Sequence, residues 1–318
     1  MSELSGVVVV DKPSGPTSFD VVRRVKGLFK TKRCGHTGTL DPTATGVLPI
    51  CIGDATKVAT FVSEGEKEYA ATVRFGAITD TQDAAGRTLE TRELGDLTEA
   101  RVLKELETFV GLIEQTPPMY SARNVDGKRL YELARAGEEV EREARQIHID
   151  EARMTFFRPP DVGIFVRCSK GTYLRTLAHD LGQRLGCGAH LRELKRVRVG
   201  PFAIEDSVGL DTLMAAAKEG GRPALDRWLL PLSRALDDLA ELQLDLAISR
   251  RVAHGHAPGP ADLSRLRAPP FPRGRKVRLV DPDARVLAVA ESDGIGTLKL
   301  LRVLVAGSHD LVGREDGE

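Results

Sequence analysis

Residues 6–30 read GVVVVDKPSGPTSFDVVRRVKGLFK, and three structural elements follow one another in that stretch. Gly6 to Val10 is a short apolar run dominated by valine, the mark of a strand. Asp11 to Pro16 holds two prolines and a glycine, which stop both ladders and helices. Thr17 can cap a following helix, with Asp20 favourably placed in its first turn. Phe19, Val22, Val25 and Phe29 recur at helical spacing and predict its buried face, leaving the basic residues of the segment on the exposed remainder. A strand that passes through a stiff loop into an amphipathic helix predicts a chain of mixed α and β structure.

The same pattern continues downstream. Tyr69, Ala71, Val73 and Phe75 alternate with polar or small residues, which predicts a strand with one buried face. Residues 98–110 predict a helix with Val102, Leu106, Phe109 and Val110 inward. QTPPMYSA at 115–122 reads as a Pro-rich turn, and the charged run 126–146 as a projecting helical insertion. Val162, Ile164, Val166 and Cys168 mark another strand. Leu174, Leu177, Ala178, Leu181 and Leu185 form a helical stripe closed by Gly186 at the C-cap position. Near residue 245 the composition shifts, and VRLVDPDARVLAVAES and TLKLLRVL beyond it read as strands of a small β module.

A length of 318 residues suits two domains, and 41% hydrophobic with 29% charged residues is ordinary for a globular protein. Disordered, collagen-like and disulfide-scaffold classes are excluded, and no apolar run approaches the ~18 residues of a membrane span. The start of the chain lacks a basic segment before its short apolar run, so a soluble, cytoplasmic protein is expected. Lys plus Arg and Asp plus Glu balance at 46 each, but the bases are clustered. Arg23 to Arg33 holds six bases and no acid, Arg192 to Arg198 holds four bases and one acid, and Arg265 to Arg278 holds six bases and no acid. Any one cluster fits a solvated face; the three together point to a nucleic-acid backbone. The four cysteines, Cys34, Cys51, Cys168 and Cys187, lack CxxC spacing and read as reduced, mostly buried thiols.

Residues 34–49, CGHTGTLDPTATGVLP, form a Gly-, Thr- and Pro-rich loop, where chemistry is often carried on a rigid scaffold. Asp41 within it reads as a nucleophile or base, or as an Asx-turn residue that pins the loop. His36 reads equally as a ligand contact or a loop tie. Tyr69 at a strand start is ordinarily a packing aromatic. Arg175 in a helix's first turn opposes the helix dipole, which implies a specific anionic partner, either a carboxylate or a phosphate. No P-loop, GxSxG, HExxH or zinc-deaminase signature is present, so neither a metal nor an organic cofactor is expected.

Taken in order, six segments resemble the TruB family, the bacterial tRNA pseudouridine synthases that modify uridine 55 of the T-loop. They are GVVVVDKPSGPTS at 6–18, GHTGTLDPTATGVLP at 35–49, KEYAATVRFGAITDTQDAAG at 67–86, QTPPMYSA at 115–122, CSKGTYLRTLAHDLG at 168–182 and GAHLRELKRVRVGPF at 188–202. The resemblance implies an α+β fold, with a mixed, largely antiparallel sheet, flanking helices and a small C-terminal PUA-like β domain. It implies a catalytic domain over 1–244, carrying an inserted charged segment at 123–150, and an RNA-binding domain over 245–318. By the same resemblance Asp41 is the nucleophile, Tyr69 lies against the uracil face and Arg175 pairs with Asp41. Leu194 is an apolar wall, His36 fills space beside the extruded nucleotide and Asp83 joins the network that organises the flipped bases. Lys12, Lys195 and Arg196 are expected to bind the substrate. The expected partner is the T-stem loop of tRNA, with no membrane, no obligate protein partner and a monomeric chain. One departure is Asn124, in the position aligned with the family's usual lysine. The rival readings are a guide-RNA-dependent synthase subunit and a non-catalytic tRNA-binding or folding factor.

Overall fold

The computed structural model describes residues 4–119 and 142–304, and between them the backbone of Asn124–Val125 and Lys128–Arg129. In chain order the strands of the first part are β1 (Gly6–Lys12), β2 (Cys34–His36), β3 (Thr45–Ile52), β4 (Lys67–Phe75), β5 (Ala77–Thr79), β6 (Thr88–Thr91) and β7 (Gly111–Gln115). They continue as β8 (Asn124–Val125), β9 (Lys128–Arg129), β10 (Arg145–Arg158), β11 (Asp161–Cys168), β12 (Ala189–Val199), β13 (Phe202–Ala203) and β14 (Val208–Gly209). The helices are α1 (Ser18–Leu28), α2 (Ala59–Glu64), α3 (Glu99–Glu107), α4 (Leu174–Leu185), α5 (Leu210–Gly220), α6 (Leu246–Ala253) and α7 (Pro260–Arg265). The main sheet runs β14-β1-β3-β12-β4-β11-β10-β7, with β2 on β3 and β13 on β12. Pairing is parallel at β1/β14 and β3/β12 and antiparallel elsewhere, the mixed α+β architecture expected.

Burial on both faces explains the unbroken valine run of β1. Val8 and Val10 pack on one side with α1 and α5. Val7 and Val9 pack on the other with Val47, Cys51 and Leu236, and with Val289 of the C-terminal sheet and Leu304 just beyond its last strand. Helix α1 starts where its cap signal says: Thr17 Oγ1 accepts from Asp20 N–H at 3.1 Å and Asp20 Oδ2 accepts from Thr17 N–H at 3.0 Å. Its buried face is Ser18, Val21, Val22 and Val25, continued by Phe29. Phe19, expected inward, is 64% exposed. At 3.6 residues per turn it lies about 100° from Ser18, off that stripe. The guanidinium of Arg23 sits 5.6 Å from its ring centroid.

Strand β4 buries Tyr69, Ala71, Val73 and Phe75, and α4 buries its leucine stripe before Gly186 takes the left-handed cap at φ 84°. Helix α3 ends at Glu107, so Val110 lies beyond its last turn and is exposed rather than inward. Two boundaries differ from expectation. Residues 145–150 are not part of an insertion: Arg145 opens β10, a long strand of the main sheet pairing with β7 and β11. The remainder of the charged run 126–146 lies outside the described residues, save the backbone of β9 and residues 142–144. At the other end, β15 (Ala240–Gln243) pairs parallel with β16 (Lys276–Val280), followed by β17 (Val286–Ser292) and β18 (Leu298–Val303). The small sheet therefore begins before residue 245, because its first strand precedes the Gly- and Pro-rich stretch that the composition marks.

Candidate active site

The loop joining β2 to β3, residues 37–44, is fastened from three sides. From α1, Ser18 Oγ donates to Leu40 O at 3.0 Å and accepts from Leu40 N–H at 2.8 Å. From β1, the Lys12 ammonium donates to the carbonyls of Pro13, Pro42 and Ala44 at 2.9, 3.0 and 2.7 Å, which uses all three of its protons. From β12, Arg196 donates from Nε to Val47 O at 2.9 Å and from Nη2 to Gly38 O at 3.1 Å. Arg196 fits because its neighbour across the β3/β12 pair is Gly46: a Cβ there would meet Arg196 O at 2.1 Å. Lys12 is 0% and Arg196 1% exposed. Burial pulls the Lys12 pKa down to about 8, with Asp41 opposing and Arg196 adding to the shift.

The loop's peptide groups are thus engaged on either side of Asp41, while the Asp41 carboxylate faces a side chain. Arg175 Nε lies 3.0 Å from Asp41 Oδ2, and Arg175 Nη1 donates to Thr81 O at 3.3 Å. Among the described residues no backbone N–H pairs with this carboxylate, so it is not the acceptor of an Asx turn. The anion that Arg175 needs in the first turn of α4 is therefore Asp41, seconded by Asp83 Oδ2 at 3.9 Å. The Arg175 side chain is 6% exposed and that of Asp41 38%, so the pair opens to water on the aspartate's side. Burial pushes the Asp41 carboxyl above its usual range; Arg175 is the largest opposing influence, Asp83 adds to the rise and Lys12 counters it.

Asp41 and Arg175 line a cleft of about 340 Å³, within the range of small-ligand pockets. Tyr69 and Leu194 also line it, as do Lys67 and Lys170. Leu194 touches both core clusters that flank the cleft, one under α1 and α5 and the other under α3 and α4. Tyr69 lies opposite Arg196 in the β4/β12 register, so the guanidinium is the charge that most opposes the effect of burial on its phenol. Burial raises the Tyr69 pKa and keeps the phenol protonated.

Of the expected site residues, Asp41, Tyr69, Arg175, Leu194 and Arg196 meet at the cleft. Asp83 joins them from behind: its Oδ1 accepts from Thr81 Oγ1 at 2.6 Å and Ala85 N–H at 3.0 Å, and it backs Arg175 instead of facing the cleft. His36 lies on β2 beside the loop, where Nδ1 accepts from Gly38 N–H at 3.2 Å. Burial lowers the His36 pKa, with Arg196 adding to the shift, which favours the neutral ring. Lys195 is exposed, 4.0 Å from Asp11. Lys12 and Arg196, expected to bind the substrate, are buried with their heads bonded to backbone carbonyls; Arg196 nonetheless lines the cleft, and Lys12 supports the loop from behind. The Asn124 side chain lies outside the described residues. Two residues of the cleft, Lys67 and Lys170, are not among the expected ones, although each stands inside one of the six family-like segments. Lys67 Nζ donates to Ser63 O at 2.8 Å and Gly65 O at 2.6 Å, and burial lowers its pKa to about 8.

Two family models match the chain consecutively, TruB family pseudouridylate synthase (N-terminal domain) over residues 26–174 and tRNA pseudouridylate synthase B C-terminal domain over 175–237. The chain belongs to the TruB family. The tRNA pseudouridine synthase B of Burkholderia mallei is 46% identical over 306 residues, covering 96% of this chain and 98% of that protein. Those of Saccharophagus degradans and Pseudomonas aeruginosa are 43% and 42% identical over 95% of this chain. Among solved structures, a Cbf5–Nop10–Gar1 complex holds a chain that superposes with a TM-score of 0.74 at 26% identity, covering 95% of this chain and 85% of that one. The TruB relatives thus run through the C-terminal sheet as well as the cleft.

Proposed function

We propose that this chain is a tRNA pseudouridine synthase acting on uridine 55 of the T-loop. The observation that carries the reading is the Asp41–Arg175 pair at the cleft, with Tyr69 and Leu194 as its aromatic and apolar walls. Pseudouridine formation breaks the uridine C1′–N1 bond, turns the base and rejoins it through C5. The reaction is an isomerisation, so its atoms balance without an oxidant or energy source. It requires an anion held beside the base or sugar. Asp41 supplies that anion, and the Arg175 guanidinium holds it ionised and oriented. Attack at C6, attack at C1′ and elimination through a glycal all use this one carboxylate.

The target base is stacked within the folded T-loop and must be everted, at a cost of a few kcal/mol. Stacking on the Tyr69 ring offsets part of this, on the order of 1–3 kcal/mol per base. His36, beside the catalytic loop, fills the space next to the everted nucleotide. The C-terminal sheet acts as a PUA-like RNA-binding module, and the enzyme works as a cytoplasmic monomer without a protein partner.

Incubating the purified chain alone with an unmodified tRNA transcript and mapping pseudouridine by chemical modification tests this directly. Product at position 55 is expected. Binding without turnover would favour a tRNA-folding factor, and turnover only with an added guide RNA a subunit of a guided complex.

Phosphate contacts are expected from exposed cations, so Arg196, which is buried, is left out. Arg23, Lys26 and Lys30 of the α1 region are all exposed. Replacing these three with glutamine is expected to reduce the slope of log affinity against log salt by about 2–3, near 0.7–0.9 for each phosphate no longer neutralised. An unchanged slope in a filter-binding titration would remove α1 from the RNA interface.

A further inference from the structure

Arg175 stands in the first turn of α4, where the helix dipole disfavours a cation, and α4 begins without a side-chain cap of its own. What fixes the start of this helix is a residue from the far edge of the main sheet. Gln115, the last residue of β7, is 4% exposed and turns its amide onto the backbone of Tyr173, the residue before the first turn. Tyr173 N–H donates to Gln115 Oε1 at 2.7 Å, and Gln115 Nε2 donates to Tyr173 O at 3.0 Å. Only one orientation of the amide satisfies both bonds, since the peptide N–H needs an acceptor and the carbonyl a donor. The neighbouring residue extends the fastening: Thr176 Oγ1, one position beyond Arg175, donates to Gln82 Oε1 at 3.2 Å and lies 3.5 Å from Thr116 O. Arg175 therefore sits between two residues, Tyr173 and Thr176, that are both tied to neighbouring segments.

We propose that Gln115 is a positioning residue for the isomerisation: its paired hydrogen bonds to Tyr173 fix the entry of α4, and so the place from which Arg175 meets the Asp41 carboxylate. The inference rests on the synthase reading above. The Arg175–Asp41 contact is a 3.0 Å approach from Nε, and a shift of the helix start by a fraction of an ångström lengthens it directly. Gln115 itself neither touches Asp41 nor lines the cleft; it acts through the start of α4, where Tyr173, Leu174 and Arg175 all line the cleft and Arg175 meets the carboxylate.

The test is Gln115→Leu in the full chain, with single-turnover pseudouridine formation measured on a tRNA transcript across pH. The rate is expected to fall about 10- to 100-fold, with KM changed far less. The acid limb of its pH profile should move to higher pH, because a displaced Arg175 no longer holds the Asp41 carboxyl down. In the double variant with Arg175→Gln the two losses should fail to multiply, since both remove the same contact. A rate within twofold of wild type, or losses that multiply, would overturn the proposal. Gln115→Glu covers the case in which the leucine variant does not fold: it keeps the acceptor for Tyr173 N–H and loses the donor. It should lie between wild type and Gln115→Leu in rate, and equality with wild type would again overturn the proposal. An inactive wild type would count against the synthase reading instead, before Gln115 is reached.

Discussion

Asp41→Asn is expected to abolish pseudouridine formation while tRNA binding persists. The substitution is nearly isosteric, so the loop keeps its ties to Ser18, Lys12 and Arg196, none of which uses the Asp41 side chain. What disappears is the negative oxygen 3.0 Å from Arg175. An amide can neither attack carbon as a carboxylate does nor accept a sugar proton at useful strength. A fall of roughly four orders of magnitude or more matches the loss of a nucleophile from a preorganised site. Affinity for tRNA should stay within a few-fold, because stacking and phosphate contacts lie elsewhere. A variant retaining near wild-type turnover would show that another group carries the chemistry.

The second large effect concerns Arg175. Arg175→Gln removes the charge that most strongly opposes the rise in the Asp41 pKa. Asp41 acts in its ionised form, so a higher pKa leaves less active enzyme at low pH. The acid limb of the pH–rate profile must therefore shift upward, and the plateau rate is expected to fall by roughly 10²–10³, typical of losing one preorganised electrostatic partner. Arg175→Lys separates the two parts of this effect. A lysine retains the charge and loses the guanidinium geometry, so the limb should stay near its wild-type position while the plateau still drops. Single-turnover rates between pH 5 and 9 distinguish these outcomes; an unshifted limb in Arg175→Gln would mean that Asp41 owes its ionisation to other groups.

Much of this site is legible in the sequence because its residues stand in short ordered motifs. The strain of a cation at a helix N-terminus is visible at Arg175, and the answering carboxylate is Asp41. Local rules also place the α1 cap at Thr17 and the Gly186 cap of α4, since both depend on a few consecutive residues. Phe19 departs from expectation because the buried stripe is 18, 21, 22, 25 and 29: positions 22, 25 and 29 hold, while Ser18 and Val21 take the place given to Phe19, and that choice depends on what packs behind the helix. The burial of Lys12 and Arg196 is unmarked in the sequence for a different reason. A basic residue in a basic stretch looks solvent-facing, and nothing local reveals that loop carbonyls more than thirty positions away surround it. Gln115 and Lys67 are hidden likewise, because their partners are backbone groups, which leave no mark in side-chain chemistry.

The account stands most directly on whether position 41 supplies the reacting carboxylate in this cleft. Wild-type protein and Asp41→Asn, each incubated alone with the same tRNA transcript, should be compared by mass-spectrometric quantification of pseudouridine at position 55, with RNA affinity measured in parallel. Near-stoichiometric conversion by wild type, none by the variant and similar affinity for both is the predicted result. Conversion by Asp41→Asn at a comparable rate would contradict it.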